Sequence, residues 1–521
     1  REPFVLTRLA GNLAAWPSPE GWHLGVAGLD FIGAGYAGSA RGELTFPAAG
    51  GLPFLELYAR VDQAEVPAAK LFWPVNVMPA GTVAWLDHAL VAGRVEHGDV
   101  LVRGSLADWP FHHNEGRFEA RAEIDGLTLA YGADWPAAEN VHAVANFING
   151  GMLVEADAGG SLGVVARRAV ALIPDFHTAL LDLNVDGSGP GAALLAFARR
   201  SPIARAQAAE LGQLRLAGRG DFSFHLVLPL AGGDEPVLAG SARLAGATLS
   251  APAWKLKLEQ LEGPLAFDLE GLRADALKAR LHGVPATLTL AVAGATGRPD
   301  TLLAAGLSGD WQLSELVADY PDLAWIGALG SGRAAFDISY RITREAPTAA
   351  AAQTLGVRST LAGIALDLPA PLAKPAAANL PLTLDIGLPL DAAPIRLALG
   401  DTLRGLLRAP DAETHQPLAA ALAWGQTMPT ALPPAGLRIR GHATTFDVTG
   451  WVARAVAGTG ADGSGPALES LDMHSDQTEW FGRQLGAMQL RAAPESDTLR
   501  IEVDGEALAG HFSVPTAGLD K

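Results

Sequence analysis

Three places in this sequence gather side chains with catalytic or ligating chemistry. Gly159-Gly160-Ser161-Leu162-Gly163 fits Gly-x-Ser-x-Gly, the pattern that exposes a serine nucleophile on a sharp turn between a buried strand and a helix. Its flanks, Val154–Ala158 and Gly163–Arg167, alternate apolar and other residues, so the run reads as a β-turn between two strands. A hydrolase built on Ser161 is the enzymatic reading that this turn opposes. His112-His113 could offer two imidazoles to a metal, but no His-Glu-x-x-His spacing or third ligand accompanies them, and the pair reads as a solvated loop. Asp182, Asp186 and Gly187 lack the remaining oxygen ligands and the closing glutamate of a calcium loop. The chain has no cysteine, which removes thiolate chemistry, disulfides and cysteine-ligated metal. The expectation is no catalytic residue, no metal and no cofactor: the chain is not an enzyme.

What dominates instead is the element type that would have to hold such residues. Trp254-Lys255-Leu256-Lys257-Leu258-Glu259 alternates strictly, as do Phe118–Ile124 and Phe336–Ile342. A period of two sends alternate side chains to opposite faces of a sheet. Similar runs at Trp22–Phe31, Leu55–Val61, Val141–Phe147, Phe222–Leu228, Leu265–Leu269, Val284–Val292, Leu382–Leu388 and Leu437–Arg440 are separated by Gly, Asp-Gly and Pro. The predicted fold is mostly β: an elongated, twisted antiparallel sheet curled into a groove, with a few short helices. Helical pieces are expected at Ala192–Leu211 (broken at Ser201-Pro202), Leu313–Tyr320, Thr402–Leu407 and Val448–Val456. Of the 521 residues 49% are hydrophobic, yet no run approaches the roughly 20 apolar residues of a membrane span. The formal net charge of −18 argues against nucleic acid, which needs a basic footprint. No composition break divides the chain, so 1–521 reads as one continuous segment with approximate sub-segments 1–190, 191–346 and 347–521. Both ends look cut, as in an interior fragment of a longer chain.

Several runs carry a family resemblance. They include Trp85-Leu86-Asp87-His88-Ala89-Leu90, Asp108-Trp109-Pro110-Phe111, Asp134-Trp135-Pro136, the long run Ser359–Lys374, Gly436-Leu437-Arg438-Ile439-Arg440-Gly441 and Asp447-Val448-Thr449-Gly450-Trp451. In this order they resemble the YhdP family of large AsmA-like envelope proteins of Gram-negative bacteria, over essentially the whole chain. The resemblance implies a repeating β-groove in the periplasm, anchored in the inner membrane through a segment absent here. It also implies phospholipid moving between inner and outer membranes, with envelope proteins as further partners at the ends.

The residues agree on their own terms, because a sheet with one apolar face needs a second layer, a partner or an apolar ligand over it. Groove-facing candidates are Phe222, Phe224, Trp254, Leu256, Leu258, Leu265, Phe267, Leu269, Phe336, Ile338, Tyr340, Leu382, Leu384 and Ile386. Their alternates Lys255, Lys257, Asp268, Asp337, Ser339, Thr383 and Asp385 are expected to face solvent. The competing reading is an envelope structural or assembly factor that uses its sheet edges for protein partners.

Overall fold

The computed structural model describes residues 5–72, 80–111, 113–205, 208–230, 235–344, 348, 352–390, 393–410, 416–425, 427–458, 467–496 and 498–515. The fold is mostly β, 64% strand and 11% helix, as the alternation predicts. It divides into two compact units: Arg1–Ala253 with Gln260–Arg273, and Trp254–Glu259 with Ala274–Lys521.

In the first unit, successive strands from Leu6–Ser18 to Val237–Ala251 pair antiparallel with their sequence neighbours. The turn at Leu162-Gly163 shows why the sequence permits this meander. Both residues sit at positive φ, 52° and 85°, the geometry of a tight two-residue hairpin whose twist matches its strands. Among the described residues of this unit, helical pieces occur where a connection leaves one end of the strands. Val66–Phe72 and Ala80–Ala89 follow the strand Phe54–Glu65, and Gly191–Arg200 and Ala208–Leu211 follow Leu180–Pro190. The other end is closed by hairpin loops.

In the second unit the strands from Val284–Ala293 to Ala419–Trp424 also run antiparallel. Two pairings then depart from the antiparallel pattern and make the sheet mixed. Ala419–Trp424 pairs parallel with Gly436–Asp447, which pairs parallel with Leu468–Trp480. In each case the connection returns the chain to the end where the previous strand began, and for the second pairing that connection includes the helix Val448–Gly458. Antiparallel pairing resumes through Met488–Glu495, Thr498–Gly505 and Ala509–Pro515.

Three helical expectations change, and Leu313–Tyr320 is helical only over Leu313–Leu316. Ala192–Leu211 becomes Gly191–Arg200 and Ala208–Leu211, with the break where Ser201-Pro202 predicts it. Thr402–Leu407 is not helical: Leu403–Arg408 is a strand paired on both sides. The leucine spacing there imitates a helix, but Gly405 opposes Leu397 and Leu422, and the ladder wins.

Phe336 is 1% exposed, while Leu384, on the same face, is only half-buried. Phe336→Ala is therefore expected to cost about 3–5 kcal/mol. Leu384→Ala should cost markedly less, and urea denaturation of the two variants measures the contrast.

Candidate functional site

Residues directly opposed across strands share a face, so the register can be read as rows running across the sheet. In the first unit one such row is Leu6, Gly33, Tyr36, Ala64, Val95, Ile124, Ala143, Ala156, Ala169, Val185, Phe224 and Gly240, one residue from each successive strand. A second is Leu9, Phe31, Gly38, Val61, Gly98, Ala122, Ala145, Val154, Ala171, Leu183, Leu226 and Leu238. Neither row contains a charged side chain.

The second unit repeats the design. One row there is Leu288, Leu307, Ile338, Val357, Leu384, Leu397, Gly405, Leu422, Ile439, Leu471, Ala492, Ile501 and Phe512. It passes through the parallel strands without interruption. One residue earlier in Val284–Ala293, the row on the opposite face is Thr287, Ser308, Asp337, Arg358, Thr383, Ala398, Arg404, Ala423, Arg440, Asp472, Arg491, Glu502 and His511. The two faces thus differ in chemistry along their whole length.

The sequence candidates fall on this pattern as follows. Phe222 and Phe224 stack at 6.3 Å, and Phe267 lies over Gly240, where an added Cβ would come within 2.2 Å of its ring. Within Leu256–Asp268, Leu256 and Leu258 and then Leu261, Leu265 and Phe267 are the less exposed residues. The parity changes at Gln260, whose φ of 52° marks a bulge. Leu269 lies in the turn beyond that strand, and Trp254 ends a one-turn helix, Pro252–Trp254. The Trp254 ring meets Tyr340 edge-on at 4.5 Å, and its carbonyl accepts a hydrogen bond from the Tyr320 hydroxyl at 2.8 Å. Ile338 opposes Val357 and Leu384 is that valine's other neighbour; Tyr340, Leu355 and Ile386 form the adjacent row, and Phe336, Ser359 and Leu382 the next. Phe336 and Leu258 are each 1% exposed, so protein already covers them. Asp337, Asp385, Lys257 and Asp268 are exposed, whereas Thr383 is half-buried.

Cover over the apolar face comes from the helical end of each unit. In the first, Val66 is buried with Tyr36, Ala64, Val95 and Leu127, so the turn Val66–Phe72 roofs one end of the first row. Trp85 donates to the Tyr131 carbonyl at 3.0 Å, and Trp135 bridges Tyr131 and Phe197 with ring separations near 6 Å. Burial there pushes the Tyr131 hydroxyl up to about 12. At the hairpin end the opposed pair Trp22 and Phe46 is 59% and 44% exposed. In the second unit Trp451 contacts Trp424 and Phe446 and donates to the Ala370 carbonyl at 2.8 Å. Nearby, Lys374 is buried with its ammonium on the carbonyls of Ile364 (2.6 Å) and Pro375 (3.1 Å). The run Ser359–Lys374 thus packs around buried Ile364 and Lys374.

The motifs that open the sequence analysis resolve in the same way. Ser161 and Val164 are paired across the two-residue hairpin, strand to strand with no helix following. Its Oγ is buried without a hydrogen-bond partner among the described residues. His112 lies outside the described residues; His113 is exposed, and its backbone N–H binds Glu115 at 3.0 Å. Asp182 is engaged by His225 at 3.0 Å and by Asn184 at 2.8 Å. A different group escapes sequence reasoning: His442, His474 and Asp476, whose ligand atoms all lie within 4.8 Å of one another. The only sequence signal is the His-x-Asp spacing of residues 474 and 476, because the third member arrives through the parallel register.

Among the described residues no helix is long and apolar enough to cross a membrane. The profile of the family described as YhdP protein matches residues 1–521. The chain is also 27% identical over 332 residues to the intermembrane phospholipid transporter YhdP of Escherichia coli K12, a match covering 62% of this chain and 25% of that protein. The match therefore spans about a quarter of the curated relative's length. No solved structure matches.

A buried hydroxyl with no partner contributes nothing to stability, so Ser161→Ala should leave stability unchanged or slightly raised. It should also leave any esterase background unaltered. Thermal melting and turnover of a chromogenic ester check both.

Proposed function

The chain belongs to the YhdP protein family, and on that premise we propose that its apolar sheet faces carry the acyl tails of phospholipid passing between the inner and outer membranes. The observation that carries this reading is the unbroken apolar row, crossing strand after strand with a polar row on the reverse. Strands lie about 4.8 Å apart, so the longest row runs roughly 55–60 Å. One bilayer leaflet is about 15 Å of hydrocarbon, so the row accommodates several tails in succession. The name of the Escherichia coli relative, an intermembrane phospholipid transporter, supports the choice of ligand.

Each methylene laid on such a surface gains about 0.8 kcal/mol, while the head group stays in water at the rim. Because the floor varies little from strand to strand, neighbouring tail positions are close in energy. Lipid then slides without meeting a deep trap. Half-buried Phe222, Phe224, Leu265, Phe267, Ile338, Leu382, Leu384 and Ile386 form the contact surface in this reading. Fully buried Phe336 and Leu258 support the wall behind it. In this reading the role is non-enzymatic and periplasmic.

A charge on the floor should hurt transport more than folding, since a desolvated carboxylate opposes an acyl chain. Phe267→Asp and Ile338→Asp are expected to keep native abundance and a β spectrum but fail to restore envelope integrity in a deletion strain. Asp268→Lys, on an exposed position, should restore it. A photo-crosslinker at Ile338 should capture phospholipid and one at Asp337 should not. Equal behaviour of floor and outer-face positions in both assays removes the proposal.

A further inference from the structure

The outer face of the second unit carries one group of side chains that neither the sheet's packing nor lipid passage requires. His442 and His474 are directly opposed on the parallel strands Gly436–Asp447 and Leu468–Trp480, and their rings stack at 5.4 Å with a 22° interplanar angle. Asp476 stands two residues beyond His474, on the same face, and accepts a hydrogen bond from His442 Nε2 at 2.8 Å. All three are exposed, and one ligand atom from each lies within 4.8 Å of the others.

We propose that His442, His474 and Asp476 bind a divalent transition metal, with zinc as the best-suited cation, on the face opposite the apolar rows. Two imidazoles and one carboxylate are a donor set zinc accepts, with water completing a tetrahedron. Bonds of about 2.0–2.1 Å place ligand atoms about 3.3 Å apart, within reach of small side-chain rotations from the present spacing. Other His–carboxylate pairs on this protein show what is distinctive here. His142–Asp157 at 2.8 Å and His225–Asp182 at 3.0 Å each bring one imidazole to one carboxylate. Only the parallel register places a second imidazole beside the first in the metal-capable group found among the described residues. The site joins two strands that no hairpin connects. A bound cation would act there as a clamp on register.

The test uses the protein stripped with a chelator and titrated with zinc chloride in a calorimeter. One equivalent should bind, and His442→Ala and His474→Ala should each weaken binding at least about tenfold. His225→Ala should bind as the unaltered protein does. Zinc should raise the melting temperature of the unaltered protein and not that of a double variant lacking both imidazoles. Zinc X-ray absorption on the unaltered protein, which does not depend on how the variants fold, should count two imidazole ligands. Absence of stoichiometric binding, undiminished binding by the double variant, or fewer than two imidazoles around the metal overturns the proposal.

Discussion

Everything in this structure depends on register. A strand that slips by one residue turns its whole apolar set to the opposite face, so long rows survive only if parity is restored wherever the ladder is disturbed. Bulges do this. In Gly21–Gly33, Val26 opposes Gly42 and Leu29 opposes Ala40, so three steps on one strand answer two on its neighbour. The neighbours keep strict alternation through Leu9, Gly11 and Leu13 on one side and Ala40, Gly42 and Leu44 on the other. Gln260 performs the same correction in Leu256–Asp268. An extra residue that looks like a defect in one strand is what keeps the surface uniform across many.

Chemistry is then distributed by face and by strand end. The polar face carries opposed charges, such as Arg438 with Glu469 at 3.0 Å and Arg167 with Asp221 at 2.9 Å. The exposed Arg167–Asp221 pair adds little stability and serves solubility, whereas Arg438–Glu469 is half-buried and held by two parallel hydrogen bonds. At one end of each unit helices and aromatic side chains lie over the apolar rows. The family-like run Ser359–Lys374 belongs to the covered end. Its distinctiveness reflects a constrained fit around Ile364 and Lys374, both buried.

Alternation made the strands legible, and composition made the absence of a membrane-spanning run legible. The Gly-x-Ser-x-Gly run was readable as a turn because its flanks kept the period of two. Helix Ala80–Ala89 was not anticipated, since its burial comes from a loop distant in sequence, around Tyr131. Leu403–Arg408 imitated a helix because its leucines are spaced for one, while its two ladder partners lie outside that window. The change to parallel pairing left no local trace at all. With it went any chance of seeing His442 beside His474, whose proximity follows from register and not from spacing.

Parallel pairing also changes what the chain must do to assemble. From Val284 to Trp424 each paired strand turns back antiparallel beside the last, whether the connection is short or, as through residues 312–333 and 360–381, long. Growth of this kind resembles crystallisation from a step, each addition recreating the site for the next. At Gly436 the step disappears. Gly436–Asp447 and then Leu468–Trp480 dock parallel, so before each the chain must cross back along the sheet to the end where the previous strand began. Assembly of this stretch therefore needs two crossings that no antiparallel addition requires.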